Sequence, residues 1–146
     1  AEAVAGSDVV IGAVLVPGDR APVLVDEAAV RTMEPGSVVA DIAIDQGGCI
    51  ATSRETSHSD PVYVVHDVIH YAVGNMPGAV PRTSTYALTN ATMRYTVALA
   101  GGVRAAVSRH PELAAGVNVV GGRLTNGAVA HALGRPFVSL DDALGR

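Results

Sequence analysis

The stretch Val39-Ala40-Asp41-Ile42-Ala43-Ile44-Asp45-Gln46-Gly47-Gly48-Cys49 holds the residues most able to do chemistry. A Val/Ile/Ala run that breaks into Asp-Gln-Gly-Gly reads as a buried parallel strand opening at its carboxyl end. Ligands of open α/β sheets lie just outside such strand ends. A carboxylate there, Asp45, could take or give a proton. Asp before Gly is also a common turn starter, its side chain bonded to nearby backbone N–H groups. The strand-end position is what raises the catalytic reading. A second run, Ile69-His70-Tyr71-Ala72-Val73, opens into Gly74-Asn75-Met76-Pro77-Gly78. The Asn75 amide can both donate and accept, which suits a carboxamide or carboxylate ligand. Asn equally suits a turn in the left-handed region.

The remaining reactive residues point elsewhere. His58, His66 and His70, with Asp60 and Asp67, suggest a metal, but zinc needs three or four convergent ligands and these spacings match no zinc motif. They are read as surface or edge histidines, with no metal expected. Cys49 is the only cysteine, so no internal disulfide is possible, which fits a reducing cytoplasm. Nothing nearby lowers its pKa, and it reads as a buried or inert thiol. Neither G-x-G-x-x-G nor G-x-x-x-x-G-K-[ST] occurs, so any phosphate-binding loop of a nucleotide site lies outside this chain.

The elements that must hold these residues follow from the apolar pattern. At 146 residues, 49% hydrophobic and 16% charged, the chain suits a globular protein with one good core. Ten Lys and Arg against 14 Asp and Glu leave a formal charge of −4, which argues against nucleic acid as a partner. The longest apolar stretch, Val9 to Val16, is far short of the roughly 20 residues a membrane span needs, and no signal-peptide pattern is apparent. With no initiator Met and a first strand near Asp8, the amino terminus reads as a cut through a larger protein.

The near-continuous apolar run from Asp8 to Val14 predicts a strand covered on both faces, hence a parallel sheet. Asp26 caps a short helix over Glu27 to Met33 that Pro35-Gly36 ends. A second strand is expected over Ser37 to Ala43, giving a right-handed βαβ unit. Residues 49 to 61 read as a surface loop. Val62 to Val65 and Val68 to Val73 read as strands turning at His66-Asp67. Beyond Pro81 the pattern becomes helical. A helix from about Ser84 to Ala100, capped by Thr83 or Ser84, presents Leu88, Ala91, Tyr95 and Leu99 on one face, which must be buried against something. Further helices are expected over Val103 to Ser108, Glu112 to Ala115, Ala128 to Leu133 and Leu140 to Leu144. Gly101-Gly102 and Gly121-Gly122 read as helix stops and turns. The change near Pro81 marks a candidate domain boundary.

Several of these strings resemble alanine dehydrogenases: Gly12-Ala13-Val14-Leu15-Val16-Pro17-Gly18, Asp41 to Cys49, Thr52-Ser53-Arg54, Asn75-Met76-Pro77-Gly78-Ala79-Val80-Pro81, and Thr83 to Thr92. They are long and in order, and the resemblance covers nearly the whole chain, most strongly from 9 to 100. It implies an NAD-dependent enzyme that interconverts L-alanine and water with pyruvate and ammonium. It also implies an α/β fold made of the second half of a Rossmann-type parallel sheet domain, residues 1–81. Residues 82–146 would be a connecting helix and a helical part of the substrate domain.

Residue by residue, the resemblance makes Asp45 the catalytic aspartate, serving a carbinolamine as it forms and collapses. It puts Asn75 near nicotinamide and substrate. Val14 and Leu15 become adenosine-side contacts of the cofactor NAD. Ile42, Ala43 and Ile44 line the path to the nicotinamide, with Val73, Gly74 and Met76 in a matching loop. Arg54 helps hold the cofactor. Gly74 departs from the family pattern, where Ala is expected, and Arg94 stands where Pro is common. The family's glycine-rich phosphate loop, acidic ribose-binding residue, and catalytic histidine, lysine and substrate arginine all precede the matching segment. The chain alone is therefore expected to be inactive and to expose apolar surface. The resemblance also implies a cytoplasmic homo-oligomer, a hexamer built from dimers.

Two other readings share these features. One is the nucleotide-binding component of a proton-translocating transhydrogenase, whose loops at positions 45–48 and 75–78 differ. The other is a non-catalytic nucleotide-binding or assembly module.

Overall fold

The structure, a computed structural model, describes residues 2–145. They form two compact units. The first runs up to Val16 and resumes over Arg20–Ala79; the second takes Pro17–Asp19 and the chain from Val80 onward.

In the first unit, a short helix α1 (Glu2–Ala5) precedes strand β1 (Val9–Gly12), helix α2 (Glu27–Val30), β2 (Val38–Asp41), β3 (Val62–Val65) and β4 (Val68–Tyr71). The sheet order is β1-β2-β4-β3. β1, β2 and β4 are parallel, and β3 is the antiparallel edge of the hairpin it forms with β4. β1 and β2 run in register from Val9 opposite Val38 to Gly12 opposite Asp41. This is the expected α/β architecture, with strands shorter than their apolar runs. β1 stops at Gly12 rather than Val14. Its Val9 and Ile11 are 54% and 63% exposed, so among the described residues that face of the strand is open rather than covered. β2 stops at Asp41 rather than Ala43, because Asp41 caps a 3₁₀ turn that begins at the next residue.

Local chemistry sets the connections. The Asp26 carboxylate accepts the N–H of Ala29 at 2.7 Å, the expected helix cap. The α-helix ends at Val30, and the next bonds, from Thr32 to Ala29 and Met33 to Val30, tighten it to 3₁₀ form before Pro35. At the hairpin turn, His66 and Asp67 have φ of 54° and 62°. Positive φ at both central residues gives the twist that a two-residue β-hairpin favours. His66 also reaches α2: its Nε2 lies 2.8 Å from Oε1 of Glu27, which Arg31 contacts at 2.6 Å.

The core of this unit joins Val30 and Met33 below α2 to Val39, Ala43, Cys49, Ile50 and Val68, with Val4, Val10, Val14, Ala21 and Val25 around it. His70 is fully buried, not a surface or edge histidine. Its Nδ1 donates to the Val68 carbonyl at 3.0 Å, its Nε2 pairs with the Thr52 hydroxyl at 2.7 Å, and its ring stacks on Tyr63.

The second unit is mainly helical: α3 (Pro81–Ala100), α4 (Val103–Arg109), α5 (Gly127–Leu133) and α6 (Leu140–Leu144), with 3₁₀ structure over Pro111–Gly116. α3 starts earlier than the capping pattern suggests. Pro81 occupies its first turn and Val80 precedes it without a side-chain cap, a position proline suits because its missing N–H would have no partner there. The Ser84 hydroxyl donates back to the Val80 carbonyl instead. No residue of α3 is buried, so the Leu88–Leu99 stripe lies open among the described residues. Tyr95 is the stripe's half-buried member, edge-on to His110 and donating to Glu112 at 3.0 Å. A ribbon of β5 (Val119–Val120) and β6 (Arg123–Leu124) interrupts the expected helices. It turns on Gly121 and Gly122, both at positive φ, and forms a two-stranded sheet separate from that of the first unit. Among the described residues no helix is long and apolar enough to cross a membrane.

Candidate active site

β2 delivers the site. After Asp41 the chain enters the 3₁₀ turn Ile42–Gln46, which ends with Gly47 at φ 99° and Gly48 at φ 79°. Side chains rarely adopt such angles, so two glycines are what the turn requires. The turn folds over the carboxyl ends of β1 and β2. It makes a cleft of about 310 Å³ lined by Ala13, Val14, Leu15, Ile42, Ala43, Asp45 and Gln46. The place is the one expected for a ligand of a parallel sheet.

Five of the sequence-derived residues, Val14, Leu15, Ile42, Ala43 and Asp45, therefore meet in one cleft. Ile44, on the same turn, is not in its lining; its side chain is buried and approaches Gly48. Asp45 is exposed. Its Oδ1 and Oδ2 accept the backbone N–H of Asn75 at 3.0 and 3.3 Å, so the turn after β2 is tied to the loop after β4. Asn75 adopts φ 53°, the left-handed conformation its residue type tolerates. Met76 opens the 3₁₀ turn Met76–Ala79. Val73 is fully buried and can meet a ligand only through its neighbours.

Two further groups stand at this junction. His58 Nε2 lies 3.1 Å from the Asn75 carbonyl. The segment around Thr56 runs beside residues 72–74, with Thr56 N–H donating to the Ala72 carbonyl and Gly74 N–H to that of Thr56. This puts the Glu55 carboxylate in the space a Cβ on Gly74 would need, a space that also lies 3.4 Å from Asp45 Oδ1. Gly74 leaves room for Glu55, a residue the sequence reading passed over.

Arg54 takes a different position. Its guanidinium sits 4.0 Å over the Tyr63 ring, a cation–π arrangement. Its N–H donates to the Tyr63 hydroxyl, which donates to the Thr52 carbonyl. Arg54 does not line the cleft. The histidines diverge too: His58 goes to Asn75, His66 to Glu27 and His70 to Thr52. Among the described residues no group of three or more His, Cys, Asp and Glu side chains could hold a metal ion.

Asp41 is the residue whose part the sequence hides. It is fully buried. Its Oδ1 accepts the Ala43 N–H at 3.1 Å and the Cys49 thiol at 3.4 Å. Its Oδ2 accepts the N–H groups of Cys49 and Ile50 at 2.9 and 3.2 Å. Burial, and then the negative charge of Asp41, push the Cys49 thiol above its ordinary pKa, which fits an inert cysteine. A charge inside an otherwise apolar strand is the signal that could have flagged Asp41, since buried carboxylates need several donors.

Comparisons with known proteins identify the family to which this fold and sequence belong. A family model described as "Alanine dehydrogenase/PNT, C-terminal domain" matches residues 1–127. The alanine dehydrogenase of Lysinibacillus sphaericus is 56% identical over 146 residues, which is 99% of this chain and 39% of that protein. Its counterpart in Halomonas elongata is 54% identical over 145 residues, again 99% and 39%. That of Mycolicibacterium smegmatis is 56% identical over 137 residues, 93% and 37%. A solved L-alanine dehydrogenase structure superposes with a TM-score of 0.73 at 50% identity, covering 91% of this chain and 37% of that one. The chain spans about two-fifths of the length of the curated relatives it matches. On that match, the chain belongs to the alanine dehydrogenase/PNT family, its residues 1–127 matching the family's C-terminal domain.

Proposed function

We propose that this chain is the cofactor-facing part of an NAD-dependent L-alanine dehydrogenase. That enzyme converts L-alanine, NAD⁺ and water reversibly into pyruvate, ammonium, NADH and a proton. The observation that carries the reading is the exposed Asp45 carboxylate, on the rim of an apolar cleft at the parallel strand ends and tied to Asn75. The high identity to alanine dehydrogenases along nearly the whole chain favours this over the transhydrogenase reading.

The donor set fits a nicotinamide dinucleotide. Val14, Leu15, Ile42 and Ala43 offer apolar surface suited to flat rings. Val14 and Leu15 take the adenosine side; Ile42 and Ala43 lead toward the nicotinamide, faced by Gly74 and Met76, with the buried Ile44 and Val73 supporting them from behind. Arg54 holds the cofactor with the guanidinium that otherwise rests on Tyr63. When bound, NAD⁺ supplies the acceptor for the hydride leaving the alanine Cα.

Asp45 handles protons. Its carboxylate has lone pairs left after accepting from Asn75. It takes a proton from water as the water oxygen bonds to the imine carbon of the oxidised substrate. It then gives that proton to the carbinolamine nitrogen and takes the hydroxyl proton as the C–N bond breaks; the departing ammonia carries this second proton away as ammonium, leaving the carboxylate as it began. The Asn75 N–H holds the carboxylate in one orientation, and the Asn75 amide is free to meet nicotinamide or substrate. Residues 1–81 are the second half of the cofactor domain, and 82–146 are the connecting helix and part of the substrate domain. The phosphate loop and the remaining catalytic side chains belong to the rest of a longer subunit. Such subunits act as cytoplasmic homo-oligomers, a hexamer by kinship.

The test is NADH formation by the purified full-length polypeptide that carries this chain, with L-alanine and NAD⁺ at alkaline pH. Alanine-dependent NADH formation supports the reading. NAD⁺ binding without any turnover of alanine would favour a non-catalytic nucleotide module instead.

A further inference from the structure

We infer that Asp41 is the positioning residue for the catalytic turn: its buried carboxylate clamps both ends of the segment that carries Asp45. The inference rests on the dehydrogenase reading for its kinetic consequence, but its geometry stands on its own.

The turn begins and ends on one side chain. At the start, Ala43 N–H donates to Asp41 Oδ1; at the end, Cys49 and Ile50 N–H donate to Oδ2, and the Cys49 thiol returns to Oδ1. Asp45 lies in the loop so closed. From outside that loop, the Asn75 N–H ties it at both carboxylate oxygens. Two anchors thus fix the catalytic carboxylate, one at the base of its turn and one at its tip.

The chemistry calls for a carboxylate. Three N–H groups and a thiol converge on two oxygens, and an ionised Asp is acceptor-only with about four lone-pair sites. Asn has one acceptor oxygen. Whichever way its amide is turned, its NH₂ faces either Ala43 N–H or the N–H pair of Cys49 and Ile50. All four donors are neutral, and it is their convergence that offsets burial of the charge. The surroundings are shaped for it: a Cβ on Gly48 would stand 3.0 Å from Asp41 Oδ2, and one on Gly12 would meet the Cys49 sulfur and stand 3.4 Å from Asp41 Oδ1.

The test is a double-mutant cycle in the full-length enzyme, with amide exchange read alongside. Asp41→Asn should lower kcat about tenfold or more, since misplacing a catalytic group by an ångström can cost that much. In an Asp45→Asn background the same change should lower kcat less than about twofold, because the group being positioned is already disabled. The amides of Cys49 and Ile50 should exchange faster than in the parent. Asp26→Asn, which alters a carboxylate capping α2, should leave kcat unchanged.

An equal loss in both backgrounds would mean that Asp41 acts independently of Asp45, and would overturn the inference. So would unchanged turnover, or unchanged protection of both amides. If Asp41→Asn does not fold, the same readings on Gly48→Ala, which crowds the carboxylate without removing it, decide in the same way. Exchange needs no turnover. A parent enzyme without alanine activity would fail the dehydrogenase reading, while the amides still decide whether Asp41 clamps the turn.

Discussion

The backbone N–H of Asn75 donates to both carboxylate oxygens of Asp45, at 3.0 and 3.3 Å. This joins the loops that follow the two neighbouring parallel strands β2 and β4, and it depends on Asn75 holding φ at 53°. Ala tolerates that angle poorly; Gly does not mind it. Asn75→Gly should therefore be more stable than Asn75→Ala by about 1 kcal/mol, read as a shift in urea midpoint. A more stable Ala variant would mean that the loop is not held in this conformation.

Gly12 and Cys49 form a second close pair. A methyl group on Gly12 would collide with the Cys49 sulfur and press on Ile50. Gly12→Ala should cost about 1–3 kcal/mol, the usual range for overpacking. The cost should shrink in a Cys49→Ala background, where the obstructing sulfur is gone. The same cost in both backgrounds would place the strain elsewhere.

The Cys49 thiol is held up in pKa by burial and by the charge of Asp41. Thiolate is the reactive form. The folded chain should therefore resist an alkylating reagent at mildly alkaline pH and react rapidly once urea unfolds it. Fast modification of the folded protein would contradict the buried geometry.

Glu27 carries the clearest pH signature of the first unit. Its hydrogen bond from His66, and then that from Arg31, hold its pKa below the ordinary 4.5. A carboxyl depressed on folding stabilises the fold above its unfolded value and loses that contribution as pH falls through the folded one. The group is solvent-exposed, so the effect is small and weakened by salt. Glu27→Gln should flatten the decline of the urea midpoint below about pH 4.5 and leave the shape of the curve above it alone. An unchanged acid limb would show that the His66–Glu27 contact does not form in solution.

The sequence made some of this legible and hid the rest for physical reasons. Asp45 and Asn75 stand out because polar residues and glycines end abruptly two apolar runs, and strand ends are where such a sheet binds. The turn at His66-Asp67 is flanked on both sides by β-branched residues and is read correctly to the residue. Asp41 is hidden because the Cys49 and Ile50 N–H groups it accepts from lie eight and nine residues away, and only its charge within an apolar strand marks it locally. Glu55 is hidden for the opposite reason: it sits in an ordinary polar loop, and only the missing Cβ of Gly74 gives it its place. His70 looks like an edge residue until Thr52, Tyr63 and the Val68 carbonyl are seen to enclose it. The β5–β6 ribbon is two residues on a side, too short for periodicity to register. α3 begins before the hydroxyl residues Thr83 and Ser84 that suggest a cap, because Pro81 already suffices to start the helix.

Everything proposed for the chemistry converges on one carboxylate. The most direct measurement is kcat for alanine oxidation by the full-length enzyme with Asp45 and with Asp45→Asn, alongside the affinity of each for NAD⁺. Asn keeps the shape and can still accept from Asn75, but it cannot take a proton. General acid–base catalysis contributes about 10²–10⁴-fold, so kcat should fall by that order while NAD⁺ affinity changes by less than about threefold. Near-parent turnover by Asp45→Asn would reduce Asp45 to a residue that merely shapes its turn, and would contradict the account.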